Sequence, residues 1–137
     1  MRYTFLESSK DGCILIARIL LMVLFVIFGW NKLVGFSGAA AYMATEGVPL
    51  PVVTAAIAVI MEFVVGLAIL VGFYTRPLAL LLAIYTLAAA LIGHQFWNMV
   101  EPDRAANVIN FYKNVSIAGG LLLLCITGPG SYSIDRR

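Results

Sequence analysis

Four long apolar runs set the pattern of this chain, with most of the charged residues outside them, in the short connections and at the two ends. A bilayer core about 30 Å thick takes roughly 20 apolar residues of helix, so each run is long enough to cross a membrane. The runs predict helices over about Cys13–Leu33, Val52–Gly72, Pro77–Trp97 and Phe111–Thr127. Proline suits the first turn of a helix, which starts the second run after Pro49-Leu50-Pro51 and the third at Pro77; Gly128-Pro129-Gly130 stops the fourth. The fold class this implies is an all-α membrane protein, a four-transmembrane-helix bundle in one domain over residues 1–137.

The connections add detail. Only Phe73-Tyr74-Thr75-Arg76 joins the second and third spans, so those helices form an antiparallel hairpin. The alanine-rich stretch from Ser37 to Gly47 predicts a short interfacial helix with Ser37 as its N-cap and Gly47 as its stop. The stretch from Asn98 to Asn110, with Glu101, Asp103 and Arg104, is polar and is expected to lie in water.

Composition agrees. The 137 residues are 62% hydrophobic, against about 45–50% in a soluble domain, and the mean hydropathy is +0.98. A net charge of +2, scattered along the chain, excludes a nucleic-acid footprint. Cys13 and Cys125 have no second ligand nearby and read as small hydrophobic residues, and a lone His94 with Glu62 does not close a metal site, so no metal is expected. The first run lacks a small-residue cleavage site and should stay in the mature protein.

Lysine and arginine bias orients the bundle. Arg2, Lys10, Arg18, Arg76, Arg136 and Arg137 fall on one side and Lys32, Arg104 and Lys113 on the other, which puts both termini in the cytoplasm.

Ionisable groups inside a span cost roughly 2.5–3.5 kcal/mol on insertion scales and therefore turn toward protein or a cavity. Glu62 comes ten residues after Val52, about 15 Å into the membrane at 1.5 Å per residue. Its short stem cannot carry a carboxylate to the interface from there. His94 and Lys32 end their spans at the outer level, and Lys113-Asn114 opens the fourth at the same height. Ala58, Glu62 and Gly66 repeat at steps of four, as do Ala90 with His94 and Asn114 with Ala118, so each polar group shares a face with small residues suited to close helix contact. Arg18, Phe25, Gly29 and Lys32 share one face of the first span. The expected site is a polar pocket in the outer half of the bundle, with Glu62 at its floor and Lys32, His94 and Asn114 around it. Simpler readings stand beside this one: Lys32 and Arg18 as snorkelling cations, Lys113 as a surface anchor, His94-Gln95-Phe96-Trp97 as an interfacial aromatic belt, and Glu62 as a packing hydrogen bond.

The order and spacing of several pieces resemble the DoxX family of small four-span bacterial inner-membrane proteins. They are Arg18 followed by Phe25-x-x-Phe28-Gly29-x-x-Lys32, Gly47-Val48-Pro49, Glu62-x-x-x-Gly66, Gly72-x-x-Thr75-Arg76, His94-x-Phe96-Trp97, Lys113-Asn114, and Gly119-Gly120 with the Gly128-Pro129-Gly130 tail. No single motif is specific; their sequence together covers nearly the whole chain. The resemblance implies kinship with subunits of a thiosulfate:quinone oxidoreductase and of a terminal quinol oxidase, and with partners of redox and oxidative-stress enzymes.

The residues themselves hold no haem-ligand pair, CxxC, GxGxxG or iron–sulfur spacing, so electrons would need a quinone or a partner. An apolar slot with a few donors and a protonatable group is what a quinone requires. The expected function is a membrane subunit that binds quinone, as cofactor or substrate, or another small amphipathic molecule. Glu62 and His94 would be its catalytic proton-exchanging groups, and Lys32, Asn114, Trp30, Phe96, Trp97 and Arg18 its ligand-binding residues. Expected partners are the lipid bilayer, a redox enzyme and further copies of the chain. The alternative is a non-catalytic scaffold or assembly factor whose polar residues fix helix packing. Transport ranks third, because the second span below Glu62 is apolar from Phe63 to Gly72, and the third span opposite offers only Tyr85 and Thr86.

Overall fold

Each apolar run becomes a helix that crosses the full thickness of a bilayer core. The computed structural model describes residues 7–135, so the expectations resting on Arg2, Arg136 and Arg137 lie outside the described residues. The helices are α1 (Lys10–Val34), α2 (Phe36–Thr45), α3 (Pro51–Val71), α4 (Thr75–Gly93) and α5 (Asp103–Thr127). All except α2 are long and apolar enough to span a membrane. Their outward surfaces carry Ile16, Leu20, Ile57, Ile84, Leu123 and Ile126, the side chains that hydrocarbon solvates. Buried Met22, Phe25, Ile69, Leu82, Leu121 and Leu124 meet in the centre.

The bundle is built from two close pairs, α1 with α3 and α4 with α5, which touch one another along looser seams. One membrane face carries the α3–α4 hairpin and the chain after α5; the opposite face carries α2 and the α4–α5 connection. α2 lies over the ends of α1 and α3 on that second face.

The hairpin is tight because α3 ends in a left-handed Gly72 (φ 78°), with Phe73 N–H donating to Ala68 O and Gly72 N–H to Ile69 O. This pair of bonds satisfies carbonyls that a helix end leaves free.

Three expected boundaries move and one helix changes internally. The interfacial helix forms over Phe36–Thr45, but Ser37 sits inside it rather than capping it, because the break from α1 falls at Gly35. α4 ends at Gly93, short of the expected Trp97; His94 leaves the helix at φ −128°, and Phe96–Asn98 make a separate 3-10 turn. The expected alignment of Ala90 and His94 on one helical stripe therefore does not form. α5 starts at Asp103, well before Phe111. Hydropathy marks where a helix enters hydrocarbon, and this helix begins in the polar stretch that precedes entry, with Asp103 favourable in its first turn. The fourth change is internal: Ile60–Val65, in the middle of α3, is a π-helical turn.

Candidate functional site

The site is built where α1 crosses α3. Gly29 makes the crossing possible: a Cβ there would lie 2.5 Å from Phe63 N and 2.8 Å from Glu62 C, inside the neighbouring backbone. One turn toward the hairpin face, Gly66 lies against Phe25 and Val26. One turn the other way along α1, Lys32 reaches across the same contact, and its Nζ stands 2.6 Å from Glu62 Oε2.

Glu62 projects from the π turn. Such widened turns insert one residue into the helical ladder and occur frequently at functional sites. Its second oxygen is also engaged, since the Tyr85 hydroxyl on α4 donates to Oε1 at 2.7 Å. Three spans thus meet at one carboxylate. The side chains are 26% exposed for Lys32 and 12% for Glu62, so the lysine is the more accessible partner.

Beside this group opens a cavity of about 640 Å³. Lys32 and Tyr85 line it, with Phe28 from α1, Ala58 from α3, Ala89 from α4 and Tyr42 from α2 among the surrounding residues. Lys32 Nζ lies 5.8 Å from the centre of the Phe28 ring, a cation over an aromatic face. Glu62 is bonded to both Lys32 and Tyr85 but does not itself line the cavity. The chamber is apolar over most of its wall, and its charged lining residues are Lys32 and Glu46.

The other residues singled out from the sequence are distributed differently. His94 Nδ1 pairs with Asn107 Oδ1 at 2.9 Å, at the join of α4 and α5. Asn114 is half-buried on α5. Neither lines the cavity. Phe96 packs edge-on against Trp97 and Phe111 at ring distances of 5.2 and 5.4 Å, an aromatic cluster that holds the 3-10 turn over α5. Trp30 stacks at 5.5 Å on Phe63, the residue after Glu62, and is half exposed.

Arg18 belongs to the opposite membrane face. It is 1% exposed and donates to Leu70 O at 3.0 Å, Pro129 O at 2.5 Å and Tyr132 O at 2.6 Å. The chain after α5 folds back onto the bundle there, with Ile134 N–H on Val71 O and Asp135 N–H on Gly72 O.

Sequence reasoning gave Tyr85 no place in the site. The depth argument that picks Glu62 applies equally to a phenol well inside the third span, and that signal was present. The π turn left none, because an extra residue in a helical turn alters no composition or period that a short window resolves.

Four helices long and apolar enough to cross a membrane, around a partly buried charge pair, define an integral membrane protein. The chain belongs to the DoxX family, whose model matches residues 13–95. Inner membrane protein YphA of Escherichia coli is 50% identical over 137 residues, covering 100% of this chain and 98% of that one. Inner membrane protein YqjF of the same organism is 46% identical over 134 residues, 96% of this chain and 95% of that one. No solved structure matches the chain.

Proposed function

We propose that the chain is an inner-membrane subunit that binds a quinone, or another small amphipathic molecule with a polar ring, and works beside a redox enzyme. The observation that carries the reading is the Lys32–Glu62–Tyr85 group, whose Lys32 and Tyr85 line a mostly apolar cavity of about 640 Å³. That size falls within the roughly 300–1,000 Å³ range of small-molecule sites. Lys32 supplies a donor to a ring oxygen, Phe28 an apolar wall, and Glu62 a group that can exchange a proton with the head. Electrons pass to the partner, because the sequence carries no CxxC or dinucleotide motif of its own.

The location rests on the names of the two Escherichia coli relatives. Both termini are assigned to the cytoplasm by the positive bias of Arg2, Lys10, Arg76, Arg136 and Arg137. Labelling of a Ser131→Cys variant by an impermeant reagent in intact cells would reverse this orientation.

The test of binding is purification in mild detergent followed by mass spectrometry of bound lipids, quinones and proteins. A stoichiometric quinone and a redox enzyme are expected. Recovery of neither removes the reading.

One feature favours the scaffold alternative: both Glu62 oxygens already have partners on neighbouring helices, which fixes packing with no ligand. Glu62→Gln separates the two. A packing role tolerates it, with function and melting temperature nearly unchanged, whereas a proton-exchanging role loses function in a protein that still folds.

A further inference from the structure

We infer that the cavity opens sideways to the bilayer between α1 and α4, and that its ligand is a tailed lipid, a polar ring whose hydrocarbon chain stays in the membrane while the ring is bound. This rests on the cavity being the binding site proposed above, and it adds the class of ligand and the side from which it comes.

The walls define the open side. α2 turns one helical face to the cavity through Ala39, Tyr42, Met43 and Glu46, and so forms a roof over the ends of α1 and α3. α3 forms the back with Thr54, Ile57 and Ala58, and α1 and α4 form the flanks. Among the described residues none of α5 lines the cavity. α1 and α4 nowhere bring Cα atoms within 8 Å of each other, so the two flanks do not meet.

The cavity is also set apart from the bundle centre. None of Met22, Phe25, Leu82 and Leu121, which fill that centre, lines it. Its own apolar members Phe28, Ile57 and Ile92 are instead 52%, 48% and 45% exposed, as side chains on a lipid-facing flank are.

Depth then orders the lining by polarity. At 1.5 Å per residue, Lys32 lies about 3 Å from the end of α1, Phe28 about 9 Å from it, and Tyr85 about 12 Å from the end of α4. One leaflet of hydrocarbon is about 15 Å thick, so the cavity descends through most of it. Asn31, Lys32, Tyr42 and Glu46 gather at the α2 end. Below them the wall is Phe28, Ile57, Ala88 and Ala89, and the Tyr85 hydroxyl is turned to Glu62. Polar groups at the interface and apolar groups toward the mid-plane are the order found along a lipid.

The head is held with the ion pair intact. A lysine ammonium has three N–H donors, and Glu62 takes one of those of Lys32. The other two serve an acceptor oxygen on a ring at the α2 end, and the chain leaves past Phe28 and Ala88 into hydrocarbon. A ligand arriving from water would have to pass the α2 roof and would leave the apolar flank unused.

Two measurements on the full chain in phospholipid vesicles test this. The first needs no ligand. A nitroxide on Ala88→Cys, in a chain carrying Cys13→Ala and Cys125→Ala, is relaxed by molecular oxygen, which concentrates in hydrocarbon, and by a water-soluble nickel chelate. Oxygen is expected to dominate. A label relaxed mainly by nickel overturns the inference, because the flank then opens to water.

The second compares ubiquinone-1 with the longer-tailed decylubiquinone, each concentration being counted as a mole fraction in the membrane. A tail that stays in lipid changes nothing on this scale, so the two dissociation constants should agree within about threefold. A tail that had to leave lipid would weaken binding about fourfold for each methylene, more than about a hundredfold between the two quinones. That outcome overturns the inference while the binding reading stands. If neither quinone binds, the binding reading falls, and this inference falls with it.

Discussion

Among the described residues Arg18 is buried toward one membrane face and Glu62 is mostly buried toward the other, and the two are satisfied by different means. Arg18 gives its guanidinium to backbone carbonyls of Leu70, Pro129 and Tyr132. Glu62 is held by two side chains, those of Lys32 and Tyr85, beside a cavity. Carbonyls are fixed by the fold, and arginine cannot be deprotonated in a protein, so the Arg18 contact has one state. Side-chain partners can rotate away, and both carboxyl and ammonium have neutral forms. The first region closes the fold and the second can exchange partners.

The sharpest way to break that comparison is Arg18→Met, which keeps much of the stem and removes every donor. It leaves the Leu70, Pro129 and Tyr132 carbonyls short of a partner, and the expected loss is about 3 kcal/mol. Thermal unfolding in detergent measures it, and limited proteolysis should now cut within residues 129–135. Ligand retention at the far face should persist in the folded fraction. Loss of ligand from a protein of unchanged stability would join the two regions into one site.

Much of the fold was legible because hydropathy reports what a span must do to cross lipid. The four runs and the hairpin around Gly72 follow from it directly. Glu62 and Lys32 were legible for a related reason, since depth along a helix and stem length say which charge can reach water. What was hidden depends on contacts distant in sequence. Arg18 was expected among the ligand-binding residues or at the interface; its partners Pro129 and Tyr132 lie 111 and 114 residues away. His94 was expected on one helical stripe with Ala90, turned toward the Glu62 pocket, but α4 stops at Gly93, and the ring pairs with Asn107 instead. Gly29 was placed on the correct face of α1, but only the crossing shows that the backbone of α3 fills the space of its missing side chain.

A medium effect is expected where the two helices touch. Gly29→Ala puts a methyl group 2.5 Å from Phe63 N, so α1 and α3 must separate. Overpacking of this kind costs about 2 kcal/mol, and the separation also lengthens the Lys32–Glu62 contact. Stability and ligand retention should therefore fall together. Gly38→Ala is the control of opposite sign: its Cβ would meet nothing within 4 Å on α2, so the helix should gain up to about 1 kcal/mol. Equal behaviour of the two variants in melting experiments would remove the close crossing as the element that positions Lys32.

The smallest effect sharpens the boundary of the exchangeable region. His94 was a candidate for proton exchange with the ligand, yet its ring is tied to Asn107, and neither residue lines the cavity. Removing one partly buried side-chain hydrogen bond costs about 1 kcal/mol, so His94→Ala should lower the melting temperature by a few degrees, which is what about 1 kcal/mol is worth in a chain of this size. Quinone retention should stay at the wild-type level, because neither His94 nor Asn107 lines the cavity. Loss of retention in His94→Ala without loss of stability would extend the site from α4 to α5 and bring the aromatic cluster of Phe96, Trp97 and Phe111 into contact with the ligand. Unchanged retention leaves that cluster as the brace of the α4–α5 turn, and confines the exchangeable chemistry to α1, α3 and α4.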